Sequence, residues 1–108
     1  MKRINTIKKN EDFLKVIKKG KFFKARSMTF YYLKTSDVNY KFGISVSKKL
    51  GKAHLRNYYK RWFRSIIDTY SDKYKDGDYF VIIIRKDIKD MKYDEVEEEF
   101  KRILYKVR

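Results

Sequence analysis

The sequence predicts a single α+β domain, in which helices pack against one mostly antiparallel four-stranded sheet. The chain has 108 residues, which is enough for one compact domain and too few for two. Its hydrophobic fraction is 43% and its aromatic fraction is 18%, so it carries enough large apolar side chains for a folded core. Helix and strand patterns follow one another in the order α-β-β-β-α-β-α, without a linker or repeat between them. These observations place residues 1–108 in one domain.

The first predicted helix begins at Asn10 and stops at Gly20. Asn10 is a favoured N-cap residue, two acidic residues follow it, and two lysines precede the glycine. Those charges suit the positive and negative ends of the helix dipole. Phe13 and Ile17 lie one turn apart, so one face of this helix is apolar.

Three strand patterns follow the first helix. A short strand is predicted around Phe22–Ala25, and a longer strand rich in aromatic residues covers Ser27–Lys34. Tyr40–Ser47 alternates large apolar residues with small or polar ones. The turn residues Ser36–Asn39 predict that these last two strands form an antiparallel hairpin.

A fourth strand is predicted over Asp78–Arg85. Its unbroken apolar middle is typical of a strand that is covered on both faces, so we expect it to be an interior strand. If it lies beside the strand that ends at Ser47, the helix between them forms a βαβ crossover.

The helix that follows Lys52 is predicted to have a packing face and a basic face. On an ideal wheel of about 100° per residue, the aromatic and aliphatic residues, Tyr58 and Trp62 among them, share one arc. Ile67 lies outside that arc. The opposite arc carries Arg56, Asn57, Lys60, Arg61 and Arg64.

The last helix is predicted over Tyr93–Lys106. Val96, Phe100 and Ile103 form its apolar stripe. The acidic residues of the run 94–99 lie mostly off this stripe, and such a run is more often a solvated face than a metal site.

Positive charge is concentrated in the first part of the chain. Residues 1–67 carry 19 basic and 3 acidic residues, whereas residues 68–108 carry 10 basic and 11 acidic residues. From Val38 to Ile67 there is no acidic residue. A general compositional bias toward lysine would not separate the two signs, so we expect one surface of the domain to bind a polyanion. The alternative is that the basic helix has an ordinary solvated face.

Several classes of protein are excluded by composition. The chain has no cysteine and a single histidine, so no disulfide-linked partner and no Cys/His metal cluster are expected. No apolar stretch approaches the ~18 residues of a membrane span, and we expect a cytoplasmic protein. His54 has no evident partner that would make it a general base.

The run FGISVSKKLGKAHLRNYYKRWFR, residues 42–64, resembles the protein subunit of bacterial ribonuclease P. The signature of that family is a basic Arg-Asn-Arg helix, preceded by a Ser-Val-Ser-Lys-Lys strand end and a glycine turn. The matching residues are Ser45, Val46, Ser47, Lys48, Lys49, Leu50, Gly51, Arg56, Asn57, Lys60, Arg61 and Arg64. The segment KKNEDF at 8–13 and the Arg-Lys pair at 85–86 also match, so the resemblance covers nearly the whole chain. Two positions depart from the pattern: Tyr58 replaces the second arginine of the triplet, and Ile17 replaces a usual aromatic.

The resemblance implies a division of labour between RNA and protein. The RNA subunit would cleave the 5′ leader from precursor tRNA with Mg²⁺, and no protein side chain would be catalytic or identified as a metal ligand. The protein would bind ribonuclease P RNA and precursor tRNA, broaden substrate recognition and lower the Mg²⁺ needed. The fold implied includes a left-handed βαβ crossover, against the usual right-handed rule. The implied RNA-binding residues are Lys48, Lys49, Lys52, Arg56, Asn57, Lys60, Arg61 and Arg64.

A second site is implied between the first helix and the sheet, where the family holds the single-stranded leader. Its expected residues are Phe13, Ile17, Tyr31, Ser45 and Ser47. An ordinary core role for Phe13 and Ile17 is equally open. Two other functions compete with the ribonuclease P reading. One is a basic ribosomal or ribosome-associated RNA-binding protein, and the other is an independent metal-dependent nuclease.

Overall fold

Three helices and four strands form in the computed structural model, which describes residues 1–107. The elements are α1 (Asn10–Lys19), β1 (Lys21–Lys24), β2 (Met28–Lys34), β3 (Lys41–Val46), α2 (Ala53–Thr69), β4 (Asp78–Ile84) and α3 (Tyr93–Lys106). Short 3₁₀ turns lie between them. The predicted α+β class and order of elements are confirmed. The expected N-cap is wrong by one residue, because Asn10 is already helical and Lys9 is the N-cap.

The four strands form one sheet in the order β1-β2-β4-β3. β1 pairs with β2 and β2 with β4 in antiparallel fashion, whereas β3 and β4 are parallel. The interior position of β4 and the crossover through α2 are therefore confirmed. The predicted hairpin between β2 and β3 is wrong, because β4 lies between these two strands.

The connection between β2 and β3 passes over the start of β4 instead of closing a hairpin. The Thr35 N–H donates to the Gly77 carbonyl at 2.8 Å, and the Gly77 N–H donates to the Asn39 carbonyl at 3.2 Å. β4 is buried along nearly its whole length, so a neighbour on each edge satisfies its backbone in a place that water does not reach.

The main core lies on one face of the sheet, beneath α2 and α3. Phe42 and Phe80 stack at 4.5 Å between ring centroids, and both are fully buried. Phe63 of α2 and Phe100 of α3 are fully buried in the same cluster. α2 is thereby fixed by one face, which leaves its other face to solvent.

The opposite face of the sheet is covered by α1. Val16 of α1 is fully buried there with Tyr79 and Val81 of β4. Gly43 of β3 lies beneath Phe13, and a Cβ at this position would be 2.9 Å from the Phe13 ring. The glycine therefore allows α1 to lie close to the edge of the sheet. One short helix leaves part of this face open.

Candidate nucleic-acid interface

The turn between β3 and α2 presents three lysines. The Lys49 N–H donates to the Ser47 hydroxyl at 3.1 Å, which closes the short turn after the strand. Gly51 has a φ of 147°, in the region that favours glycine, and this residue lets the chain turn into α2. Lys48, Lys49 and Lys52 are all exposed around this turn.

α2 has the two faces that its sequence predicts. Tyr59, Phe63 and Ile66 are buried against the sheet and α3. Ile67, which the ideal wheel leaves outside the packing arc, is only 1% exposed and extends that face. Tyr58 is the other difference: the wheel places it on the packing arc, but it is 48% exposed.

The basic face of α2 carries charges that no acid within residues 1–107 compensates. Asn57, Arg61 and Arg64 are exposed, and Arg56 and Lys60 are partly buried. Within residues 1–107, no ion pair or side-chain hydrogen bond engages any predicted RNA-binding side chain from Lys48 to Arg64. By contrast, Lys41, at the other end of β3, lies 3.6 Å from Asp37. Uncompensated cations on one face produce the potential that attracts phosphates.

An open cavity of about 520 Å³ extends this basic surface along the sheet edge. Because β3 and β4 are parallel, their carboxyl ends meet there. Ser47 and Lys49 line one side of the cavity, and Arg85, Lys86 and Asp87 line the other. Ser47, which was expected in the cleft between α1 and the sheet, lines this cavity instead. The structure also adds Arg85 and Lys86, which directly follow β4 and match the family pattern, but which were not among the expected RNA-binding residues.

A partly open surface lies between α1 and the sheet, where the leader cleft is expected. Phe13, Ile17 and Tyr31 are each partly buried and pack around Val16. Phe13 and Ser45 line the same open cavity, which has a volume of about 330 Å³, and Lys8 and Lys9 also line it.

The aromatic surface of the cleft continues onto β1. Phe22 is 59% exposed, and its ring centroid lies 6.1 Å from that of Tyr31. The fully buried residue of α1 in this cluster is Val16, so Phe13 and Ile17 combine a packing contact with an accessible edge.

The acidic run of α3 has structural partners. Glu95 accepts a hydrogen bond from the Lys92 N–H at 2.8 Å, and Glu97 accepts one from the Tyr70 hydroxyl at 3.0 Å. Glu99 accepts a hydrogen bond from the Ser27 hydroxyl at 2.6 Å, and this bond connects α3 to the loop before β2. In the described part of the chain, no group of three or more acidic, histidine or cysteine residues is placed to hold a metal ion.

A tyrosine–carboxylate pair fixes the loop that follows β2. The Tyr79 hydroxyl donates to a carboxylate oxygen of Asp37. This bond, together with the Asn39 N–H and the nearby Lys41, lowers the pKa of Asp37. Burial and the same bond raise the pKa of Tyr79.

The fold and this surface define a small, strongly basic α+β protein with a face suited to a polyanion. A family model described as Ribonuclease P matches residues 1–108. The chain belongs to this family, that of the protein components of ribonuclease P.

Relatives and solved structures agree with this assignment. The ribonuclease P protein component of Bacillus cereus strain Q1 is 43% identical over 98 residues, which cover 90% of this chain and 85% of the relative. A Staphylococcus aureus RNase P protein, a mutant with defective mRNA degradation activity, superposes with a TM-score of 0.88 at 32% identity. That match covers 95% of this chain and 87% of the other. The Thermotoga maritima RNase P protein has a TM-score of 0.84 at 27% identity, with 95% and 97% covered. Among the residues that the structure describes, no helix is long and apolar enough to cross a membrane.

Proposed function

We propose that this protein binds ribonuclease P RNA and the 5′ leader of precursor tRNA in the cytoplasm, as part of the endonuclease that produces the mature tRNA 5′ end. The observation that carries the proposal is the uncompensated basic surface of residues 48–64 in a chain of this family. That surface adjoins the cleft between α1 and the sheet, because Ser45 of β3 lines the cleft and Ser47, just after the end of β3, lines the basic cavity.

The basic surface accounts for binding of the RNA subunit. Lysine and arginine side chains that contact phosphates release counterions and screen the repulsion between RNA segments. Bound Mg²⁺ does the same, so the protein lowers the Mg²⁺ concentration that the folded RNA needs. Cleavage itself belongs to the RNA subunit and its Mg²⁺.

The cleft accounts for selection of precursor over mature tRNA. Single-stranded RNA has unstacked bases, and these bind to aromatic side chains beside cations. Phe13 and Tyr31 supply partly exposed rings, and Lys8 and Lys9 lie along the same cavity as Phe13. Only the precursor has a leader to place there, so these contacts broaden recognition beyond the mature tRNA body.

The test is leader removal from a precursor tRNA by ribonuclease P RNA of Bacillus cereus, at low and high Mg²⁺, with and without this protein. We expect the protein to restore cleavage at low Mg²⁺ and to cleave nothing when the RNA is left out. Robust metal-dependent cleavage by the protein alone would identify a nuclease instead. Tight binding to ribosomal RNA without any effect on leader removal would identify a ribosome-associated protein.

A further inference from the structure

An aromatic cluster lies along one flank of α2. Trp62 packs edge-to-face against Tyr59 at 5.0 Å and against Tyr93 of α3 at 5.4 Å between ring centroids. The Tyr93 hydroxyl donates to the Ser65 hydroxyl at 2.9 Å, which anchors the far side of the cluster to α2. The indole is therefore held in place from two sides.

Tyr58 is the outer member of this cluster. Its ring lies 5.5 Å from Trp62 and 5.1 Å from Tyr59, yet it is 48% exposed whereas Tyr59 is 7% exposed. No hydrogen bond within residues 1–107 engages the Tyr58 hydroxyl. The ring is thus supported on its inner side and open on its outer side, which is the arrangement of a stacking platform.

The surroundings of Tyr58 are cationic and polar. Asn57 precedes it on the basic face, and Arg61 follows it three residues later, on the neighbouring turn of the helix. Arg61 is exposed and makes no ion pair in the described part of the chain. A ligand that touches Tyr58 therefore also meets a free guanidinium.

The extent of this patch favours a nucleobase over a protein partner. The other large apolar side chains that are well exposed in the described chain lie outside α2: Ile4, Leu14, Phe22, Val38 and Tyr105. A stable protein interface buries roughly 800 Å² on each partner, far more than one tyrosine supplies. One ring beside phosphate-binding cations matches the size and charge of a single unstacked nucleotide.

We propose that Tyr58 stacks on an unpaired base of the ribonuclease P RNA, at the helix position where the family signature has an arginine. The inference rests on the proposed function and refines it. In this chain a stacking contact from Tyr58 would replace the charged contact of an arginine. The affinity for the RNA would be kept, but its dependence on salt would be weaker. Tyr58 would be a binding residue that reads an accessible base, not a member of the protein core.

The test compares variants of Tyr58 in binding to ribonuclease P RNA of Bacillus cereus over a series of salt concentrations. Loss of one stacked base is worth about 1 to 3 kcal/mol, so Tyr58→Leu should weaken binding by roughly 5- to 150-fold with an unchanged slope of log K against log salt. Tyr58→Phe and Tyr58→Trp should keep the affinity, because both retain a ring. Tyr58→Arg should steepen the slope by roughly 0.7 to 0.9.

Tyr105→Leu is the matched control, because Tyr105 is a 58% exposed tyrosine on α3, outside the basic surface. Equal affinities of Tyr58→Leu and Tyr105→Leu would overturn the stacking inference while leaving the proposed function in place. If Tyr58→Phe loses as much affinity for the RNA as Tyr58→Leu does, the effect belongs to the hydroxyl, and the stacking inference is also overturned. If Tyr58→Leu lowers the melting temperature, the affinity of Tyr58→Trp for the RNA decides. A stacking site tolerates the larger ring and keeps that affinity, so a loss of affinity in Tyr58→Trp would overturn the inference. Failure of the unmodified protein to bind this RNA would instead reject the proposed function.

Discussion

The basic side chains of α2 differ in how deeply their stems pack. Arg56 and Lys60 are partly buried, whereas Arg61 is exposed. Long basic side chains bury their methylene stems and keep the charged group in water. Replacing Arg56 or Lys60 therefore removes both charge and packing, and replacing Arg61 removes mainly charge.

Alanine substitution at these three positions should weaken RNA binding without unfolding the domain. Each of Arg56→Ala, Lys60→Ala and Arg61→Ala should flatten the slope of log K against log salt by roughly 0.7 to 0.9, because one phosphate contact is lost. Binding titrations at several salt concentrations measure this. Lys106→Ala removes one exposed charge from α3 and serves as the control. A slope that stays unchanged in all three variants would show that this face is simply solvated.

The Asp37–Tyr79 pair makes stability depend on pH. Because the pKa of Asp37 is lowered in the folded state from its ordinary value of 3.8, its contribution is present above that value and is lost as the pH falls through the folded pKa. Asp37→Asn should therefore unfold more easily than the unmodified protein near pH 6, and the difference should shrink below about pH 4. Urea unfolding from pH 2 to 7 measures both. A difference that is constant down to pH 2 would contradict this origin.

Helices and strands follow from the sequence more directly than strand partners do. α3 has the same bounds as predicted, because helix periodicity is set by residues three and four apart. The turn residues 36–39 are equally local, and they indicate a hairpin that does not form. Which strands pair depends instead on β4, which begins about 40 residues after this turn and needs a neighbouring strand on both edges. The turn pattern contains no information about that strand.

The exposure of side chains at the candidate site follows from the sequence where charge decides it, but not where packing decides it. The charged residues Lys52, Arg61 and Arg64 are exposed as expected, because burying an unpaired charge is costly whatever the rotation of the helix. Tyr58 was misplaced because the rotation of α2 is set by the sheet and α3, and a tyrosine tolerates either environment. Residues 47, 49 and 50 line the basic cavity together with residues 84–87, and this proximity depends on the order of the strands in the sheet.

The packing face of α2 should dominate the stability that this helix contributes. Phe63 is fully buried, so Phe63→Ala should cost on the order of 3 to 5 kcal/mol. Trp62 is only partly buried, and Trp62→Ala should cost less even though the side chain is larger. Denaturant unfolding of both variants provides the comparison. An equal or greater loss for Trp62→Ala would show that the aromatic cluster is part of the main core.

The cleft between α1 and the sheet should distinguish precursor from mature tRNA. Phe13→Ala should reduce affinity for precursor tRNA by about fivefold or more, since a stacked base is worth ~1 to 3 kcal/mol, while affinity for mature tRNA stays nearly the same. Ile17→Phe should hold or improve precursor binding, because an added ring enlarges an open surface. Affinities of both tRNAs and melting temperatures should be measured together. A large drop in melting temperature with equal losses for both tRNAs would assign Phe13 to the core.

Positive and negative charges are distributed unevenly between the two parts of the chain. The near-neutral part from residue 68 onward uses acidic groups in structural contacts, such as Glu97 with Tyr70 and Glu99 with Ser27. The preceding part keeps a large excess of cations, and of these Lys34 and Lys41 form ion pairs with Asp78 and Asp37. A net charge of +15 on a chain of this size produces repulsion within the folded state. The free protein is therefore less stable than its core alone would make it, and a polyanion relieves that repulsion.

This arrangement predicts opposite effects of salt on the free and the RNA-bound protein. Added NaCl screens repulsion between the uncompensated cations, so the melting temperature of the free protein should rise between about 50 mM and 500 mM salt. Partner RNA at a concentration of 100 times its Kd adds about 2.7 kcal/mol to the free energy of unfolding. At about 4 to 8 °C for each kcal/mol, the melting temperature should rise by roughly 10 to 20 °C at low salt. The same salt weakens phosphate contacts, so the increase due to RNA should shrink as salt is added. Thermal unfolding with and without RNA across this salt range measures both trends, and sucrose, which carries no charge, is the control for general solvent effects. If salt lowers the melting temperature of the free protein, its cations are compensated within the fold, and the basic surface is not held ready for RNA.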